Sequence, residues 1–538
     1  MDTQKSAAIA EVDVVVVGGG MAGMYFHYLL RRLGLSIQGF EAGTDVGGTW
    51  YWNRYPGARF DSESYSYGFS FSEEVLDEWR WSEHFAAQPE TLRYLNFVAD
   101  KFDLRRDIRF STRVTGAEFD AEQSRWQVST DDGAVTSARY LVLATGVLSA
   151  PFIPDFRGVE RFGGLTWHTS DWPREPISLS DKRVGVIGTG ATAVQMITEI
   201  AKDIGHLTVF QRTPNFCKPL RNRPITDDEQ REIRERYPAI FQRCRETLGG
   251  FLHDFDPRSA FDLSDAERQA FYELQWQAPG FAFWLGIFAD CFTDDAANAT
   301  AAEFVREKIR ERVTDPAVAE LLAPTSHAFG TKRQPMESGY YEVYNQPNVR
   351  LIDLNADPIS RFTETGVETS TEAFDFDVVI FATGFDAVTG ALDRMHIQGE
   401  QGQSLKHLWQ NGPQTYLGIG VSGFPNMFIA GGPHNTTSFC NIPRCIEHNV
   451  EFIAECIGHM HTKGLTRIEA EAEAQQAWTR HALDLAADTL FVKNDSWFMG
   501  ANIPGKKRVF LNYVGGVPLF LEKLADVAAA GYAGFSLK

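Results

Sequence analysis

Twice in this chain a run of β-branched and aliphatic residues stops at glycines, and a helix-compatible segment comes next. Residues 12–23 read VDVVVVGGGMAG and residues 182–201 read KRVGVIGTGATAVQMITEIA. Gly18, Gly20 and Gly23 make a GxGxxG; Gly188, Gly190 and Ala193 make a GxGxxA. In such a strand–turn–helix unit the first glycine permits the tight turn, and the second lets the backbone approach a pyrophosphate. The third small residue packs helix on strand. The helix N-terminus then presents free N–H groups and the positive end of its dipole. A chain with two such units is expected to be α/β, with two Rossmann-like dinucleotide-binding domains.

The strands that come after the two cradles end differently. After the first, LSIQGFE ends at Glu41, whose carboxylate can accept hydrogen bonds from a ribose diol. After the second, LTVFQRTPN presents Arg212, whose forked guanidinium suits a 2′-phosphate that a carboxylate would repel. The first site is therefore expected to take a dinucleotide with a free diol and the second NADP. Thr189, Thr192, Gln195 and Thr213 lie about the second cradle as candidate cofactor contacts. Two dinucleotide sites in one chain imply hydride traffic between a flavin and a nicotinamide, with FAD resident and NADP(H) exchanging. The plain alternatives are a glycine-rich turn beside a surface Glu41 and an exposed Arg212 at a strand end. Residues 140–146 (YLVLATG) and 378–384 (VVIFATG) are buried-strand runs ending alike, each returning the chain to a nucleotide domain.

Composition narrows the class. The chain has 538 residues, room for two to four domains at about 100–200 residues each. Its formal charge of −20 disfavours nucleic acid and anionic membranes as partners. Forty phenylalanines and twelve tryptophans could line an apolar pocket. No apolar run reaches about 18 residues, so no membrane helix is expected, and the N-terminus lacks the basic start and cleavage site of a signal peptide. Cys217, Cys244, Cys291, Cys440, Cys445 and Cys456 form no CxxC pair. They are read as reduced thiols of a cytoplasmic protein without a metal site.

Between the cradles, residues 162–173 read FGGLTWHTSDWP. The segment fits neither a strand nor an amphipathic helix. Its glycines allow unusual backbone angles, and Pro173 stops regular structure. This stretch resembles the FxGxxxHTxxW(P/D) fingerprint of type I Baeyer–Villiger monooxygenases, with Phe162, Gly164, His168, Thr169, Trp172 and Pro173 in its fixed places. GGTWYWNRYPGARFD, from Gly47 to Asp61, is similar to a second signature of that family, and the resemblance runs on to SWFMGANIPGKK near the C-terminus. Cyclohexanone, steroid and terpenoid-ketone members look most similar. Flavin-dependent N- and S-oxygenases share only a shorter FxGxxxH form.

The resemblance implies that NADPH reduces the flavin, that the reduced flavin and O2 give a flavin peroxide, and that an apolar ketone becomes an ester or lactone. It implies Arg333, in HAFGTKRQ, as the catalytic cation and Asp61 as the residue that fixes it, both also contacting cofactor. Arginine suits the task because it does not titrate at working pH, and a fixed charge favours an anionic nucleophile. By the same resemblance Lys332 holds the NADP 2′-phosphate; Gly48, Thr49 and Trp50 touch cofactor; Trp497 folds over NADP and shapes the substrate pocket; and Phe439 lines that pocket. His168 belongs to the domain hinge. A lone linker histidine is more often an orienting hydrogen-bond partner than a general base, which must also reach its proton.

The expected organisation is a discontinuous FAD domain (1–150 and 386–538), a split NADP domain (151–220 and 335–385), and a helical insert ending in the catalytic-arginine segment (221–334). Thr226/Glu229 and Ser264/Glu267 are capping boxes. Val305, Ile309 and Val313 repeat on one helix face, and the amphipathic segment 446–464 stops at Gly464. Monomer and homodimer both stay open. Three rival readings remain: a flavin-dependent S- or N-oxygenase; a disulfide reductase, which needs a redox cysteine pair beside the flavin, and none stands directly behind the first cradle; and a non-enzymatic flavoprotein.

Overall fold

The computed structural model describes residues 9–436 and 440–538. Strand β1 (Ala10–Val17) runs into helix α1 (Met21–Arg32), and β2 (Ile37–Phe40) comes next. β1 pairs in parallel with β2 on one side and with Val135–Leu143 on the other. Alternation along β1 sends Val14 and Val16 to one layer, with α1, and Val15 and Val17 to the opposite layer, with Trp126 and Phe424. Both faces are thus covered, which is why VVVV reads as continuous hydrophobe rather than as an alternation. The full sheet has eight strands among the described residues, in the order 396–398, 114–120, 125–130, 135–143, β1, β2, 108–109; Met427–Ile429 joins it beside 135–143.

The second sheet repeats the plan. β3 (Arg183–Ile187), α2 (Ala191–Ile200) and β4 (His206–Gln211) carry the second cradle. Its five strands are all parallel, in the order 349–353, β4, β3, 378–381, 165–168. The strand Leu165–His168 corrects the sequence reading of the linker. It lies at the sheet edge and pairs on one side only, with Val378–Phe381, so it needs no two-faced apolar pattern. The linker glycines also act differently from expectation. Gly163 and Gly164 are absent from the left-handed region. A side chain at Gly164 would instead stand 2.7 Å from the Asp377 carbonyl oxygen, so close backbone packing is what requires it.

Between the halves of the second unit lie helices Asp227–Glu246, Asp265–Gln277, Asp295–Arg312 and Pro316–Leu322. Both capping boxes form, from Thr226 with Glu229 and from Ser264 with Glu267. Val305 and Ile309 are fully buried, and Val313 comes directly after the last helical residue. Helix α3 (Ile442–Lys463) ends at Gly464 in the left-handed conformation, φ 67°. It starts four residues before the amphipathic pattern, because Pro443 is accommodated in the first turn. That early start also corrects the cysteine reading: the turn into α3 brings Cys440 over the first helical turn, and Cys440 and Cys445 are joined as a disulfide with Cα atoms 6.8 Å apart. The other four cysteines are buried free thiols. No described helix is long and apolar enough to cross a membrane.

His27 of α1 is fully buried against Gly39, with neither ring nitrogen hydrogen-bonded among the described residues. Burial pushes its pKa down to about 4. The unfolded chain binds a proton there below the ordinary value of 6.5 while the folded chain does not, so this contribution to stability is full at neutral pH and is lost as pH falls from about 6.5 towards 4. His27→Leu is expected to reduce the loss of thermal stability between pH 7 and pH 5, by about 2 kcal/mol for a shift of that size. Melting curves at the two pH values check this, and an unchanged pH dependence contradicts it.

Candidate functional site

The two cradles have matching backbone. Gly18 and Gly188, which close the strands, have φ +114° and +110°, a region closed to side chains. Gly20 and Gly190 are the N-cap residues of α1 and α2, and neither helix has a side-chain cap or an acidic residue in its first turn. Their first N–H groups are therefore on offer to an anion. A side chain on Gly190 would meet nothing within 4 Å, so that cradle is open. One on Gly23 would overlap the Gly18 carbonyl, and Ala193 is fully buried, as helix–strand packing demands. Gly48 closes over the first cradle, where a Cβ placed on it would stand 2.8 Å from Gly20 Cα. Thr49 beside it is exposed, and Trp50 is buried with its indole N–H donating to the Tyr67 hydroxyl at 3.0 Å.

The strand ends carry opposite charges. Glu41, directly after β2 and 6% exposed, accepts from the Gly19 N–H at 2.7 Å and the Gly43 N–H at 2.6 Å. Directly after β4, Arg212 is exposed. Burial, and then the charge of Arg212, push the Lys332 pKa down to about 8. Two cations thus stand close enough to repel each other. Thr189 holds this strand end together, its hydroxyl donating to the Thr213 carbonyl at 2.8 Å.

Arg333, one residue on from Lys332, turns inward. Its Nη2 donates to Asp61 Oδ2 at 2.6 Å, and its guanidinium lies over the Phe281 ring at 5.4 Å. Asp61 is 1% exposed on its side chain, whereas Arg333 keeps 35%. Burial holds the Asp61 carboxyl above its ordinary range despite Arg333, so the carboxylate depends on its partners to remain charged. Gln195, expected from sequence as a cofactor contact, donates from Nε2 to Asp61 Oδ1 at 3.3 Å and to the Arg59 carbonyl at 3.1 Å. The Tyr55 hydroxyl donates to Gln195 Oε1 at 2.9 Å.

His168 sits where the linker meets the second ATG run. Its Nδ1 accepts from the Ser170 N–H at 3.2 Å, which leaves the proton on Nε2 to donate to the Gly384 carbonyl at 3.1 Å. Burial lowers its pKa, so the ring is a neutral tie between segments. Trp497 is half-buried and packs on Ala387, Val388 and Leu511. Its loop is docked on both neighbours: Lys332 donates to the Asp495 carbonyl, the Ala328 N–H donates to Asn494 Oδ1 at 3.1 Å, and Lys506 pairs with Asp386. Asn502 Nδ2 donates to the Phe385 carbonyl at 2.8 Å. Phe439 lies outside the described residues. Sequence reasoning does not single out Tyr55, Asp386, Asn502 or Lys506, although Tyr55, Asn502 and Lys506 stand inside the family-like motifs and Asp386 lies two residues beyond the second ATG run. No described group of three or more His, Cys, Asp or Glu could hold a metal.

The sequence model described as pyridine nucleotide-disulphide oxidoreductase matches residues 12–236. A relative from Pseudomonas putida, 2-oxo-Δ3-4,5,5-trimethylcyclopentenylacetyl-CoA monooxygenase, is 43% identical over 98% of each chain. A Baeyer–Villiger monooxygenase from Pseudooceanicola batsensis is 42% identical, covering 97% of this chain and 96% of its own. The crystal structure of OTEMO in complex with FAD and NADP superposes with a TM-score of 0.95 at 44% identity, over 98% of this chain and 99% of that one.

The docked loop yields a prediction. Asn502→Ala removes one of the ties to residue 385, a loss of about 1 kcal/mol. Trypsin cleavage of the native protein at Lys506–Lys507 is then expected to be about fivefold faster, read by mass spectrometry of the fragments. An unchanged cleavage rate means that the tie does not hold the loop.

Proposed function

The chain belongs to the type I Baeyer–Villiger monooxygenase family, and from that membership we propose which of its residues hold the two dinucleotides and which direct the chemistry. The protein is a flavin-dependent monooxygenase that uses NADPH and O2 on ketones. FAD takes the first cradle, where the buried Glu41 has lone pairs left for a ribose diol and the N-terminus of α1 faces the pyrophosphate. NADP(H) takes the second, with Arg212 and Lys332 on the 2′-phosphate. The donors fit: an acid where the diol belongs, two cations where the phosphate belongs, and an uncapped helix at each. On the same reading residues 1–150 and 386–538 form the FAD domain, 151–220 and 335–385 the NADP domain, and 221–334 the insert that delivers Arg333. His168 then couples the two domains.

When bound, the flavin accepts hydride from NADPH and activates O2. The chain's contribution is electrostatic. Arg333 brings a charge that does not titrate, and one of its N–H groups is held by Asp61. Its other N–H groups have no hydrogen-bond partner among the described residues, so they are on offer to an anionic oxygen. Phe281 beneath the guanidinium lowers the local dielectric and strengthens that field. Trp497 and its docked loop shield the nicotinamide side from water, which otherwise diverts activated oxygen to hydrogen peroxide. The aromatic side chains beside Arg333, Phe281 with Phe251 and Trp284 packed on it, suit an apolar ketone, giving an ester or lactone.

The observation that carries this assignment is the Arg333–Asp61 pair between the two cradles. Arg333→Ala is expected to keep NADPH-driven flavin reduction within about threefold and to lower product formation by about 100-fold or more. A panel of ketones and one sulfide, with products identified by mass spectrometry, reads both. Undiminished ester formation removes Arg333 from the mechanism, and sulfoxide as the main wild-type product favours S-oxygenation instead.

Lys332 adds a pH signature. Its depressed pKa of about 8 means that the charge meeting the 2′-phosphate is lost as pH rises through 8. The dissociation constant of NADP+ is expected to rise about tenfold between pH 7 and pH 9, and far less in Lys332→Met. Titration at the two pH values checks it, and NAD+, which lacks the 2′-phosphate, serves as the control.

A further inference from the structure

Asp61 reaches the arginine through one oxygen and something else through the other. Oδ2 accepts from Arg333 at 2.6 Å, and Oδ1 accepts from Gln195 Nε2 at 3.3 Å. Gln195 is in α2, five residues beyond the Gly190 N-cap, so it belongs to the helix whose first turn forms the second cradle. Its amide is fully committed. The two Nε2 hydrogens go to Asp61 and to the Arg59 carbonyl, and Oε1 receives the Tyr55 hydroxyl at 2.9 Å. Tyr55 is 9% exposed, and its ring packs in the core that contains α2.

The backbone shows that this approach is built in. The turn between Tyr55 and Arg59 lies on α2 itself. A Cβ on Gly57, where φ is +81°, would stand 2.7 Å from the Gln195 carbonyl oxygen, so only glycine lets the turn come this close. Residues 55–61 of the first nucleotide unit and α2 of the second therefore meet in one hydrogen-bonded chain: Tyr55, Gln195, Asp61, Arg333.

We infer that Tyr55 and Gln195 are positioning residues for the Arg333–Asp61 pair, tying the aim of the guanidinium to the seating of the nicotinamide-side helix. Neither residue touches the reacting atoms in this role. Gln195 orients the carboxylate, and Tyr55 orients Gln195 by fixing which face of its amide carries the oxygen. Displacement of α2 would release Oδ1 and leave Asp61 held by Arg333 alone. The inference rests on the assignment of Arg333 to the oxygen-transfer step, and its test separates the two.

Tyr55→Phe removes the hydroxyl and keeps the ring. In the FAD-loaded enzyme it is expected to leave flavin reduction by NADPH within about twofold and to lower ester formed per NADPH about fivefold, the missing fraction appearing as hydrogen peroxide. Gln195→Met should lower the yield at least as far. The double variant should be no worse than Gln195→Met alone, because residues that act through one chain are not additive. Hydrogen–deuterium exchange supplies a readout without turnover: peptides covering 59–63 and 327–334 should exchange faster in Tyr55→Phe while the rest of the protein is unchanged. Multiplicative losses, or faster exchange throughout, reduce Tyr55 to a packing residue and overturn the inference. So does full coupling in Tyr55→Phe when Arg333→Ala abolishes ester. Full coupling in Arg333→Ala sinks the assignment beneath it.

Discussion

A carboxylate with 1% of its side chain exposed cannot stay charged by itself. The charged form of Asp61 is favoured against that burial by a guanidinium at 2.6 Å and an amide at 3.3 Å, delivered from positions 333 and 195. The pair is unequal. Arg333 keeps 35% of its side chain accessible, so Asp61 bears most of the desolvation. An ion pair buried on both sides would gain little net stability and would leave its cation with nothing to offer a substrate. Here the anion is the buried anchor, and the cation presents its remaining N–H groups outward.

The rest of the architecture supplies what such an arrangement demands. Residue 61 lies 38 positions after the Gly23 of one cradle, residue 195 is inside the helix of the other, and residue 333 ends the helical insert. No local element could hold three such groups together. Two sheets, one mixed and one all parallel, each carry a strand that leads into an uncapped helix, and the loop around Trp497 is tied to residues 328 and 385. The two cradles are alike in backbone and differ in one side chain after the second strand, acid in Glu41 and base in Arg212. That difference suits one strand end to a ribose diol and the other to a 2′-phosphate.

Features set by local rules were legible in the amino-acid order: the glycine spacing of both cradles, the two capping boxes, the stop of α3 at Gly464, and the opposite charges at the strand ends. What escaped depends on distant partners. Leu165–His168 is a strand only because Val378–Phe381 offers an edge, and Gly164 is required by a carbonyl more than 200 positions away. Cys440 and Cys445 meet because a proline permits α3 to start early. The spacing around the second cradle marks Gln195 but not its partner, since nothing along the chain says that the turn at Gly57 lies on α2. Tyr55 stands inside a family-like motif with no periodicity or charge to mark it.

His168 ties the linker to the second ATG run. A charged imidazole in the linker would need a carboxylate, and burial already disfavours the proton. As a neutral ring it joins Ser170, next to the linker strand, to Gly384, which ends the second ATG run, and Asp386 two residues later holds Lys506 of the docked loop. The linker, the second ATG run and the loop around Trp497 are therefore joined by side-chain contacts. With both ring nitrogens committed and the proton disfavoured by burial, the ring works as a hydrogen-bond tie with a fixed tautomer, and no proton transfer has to be asked of it.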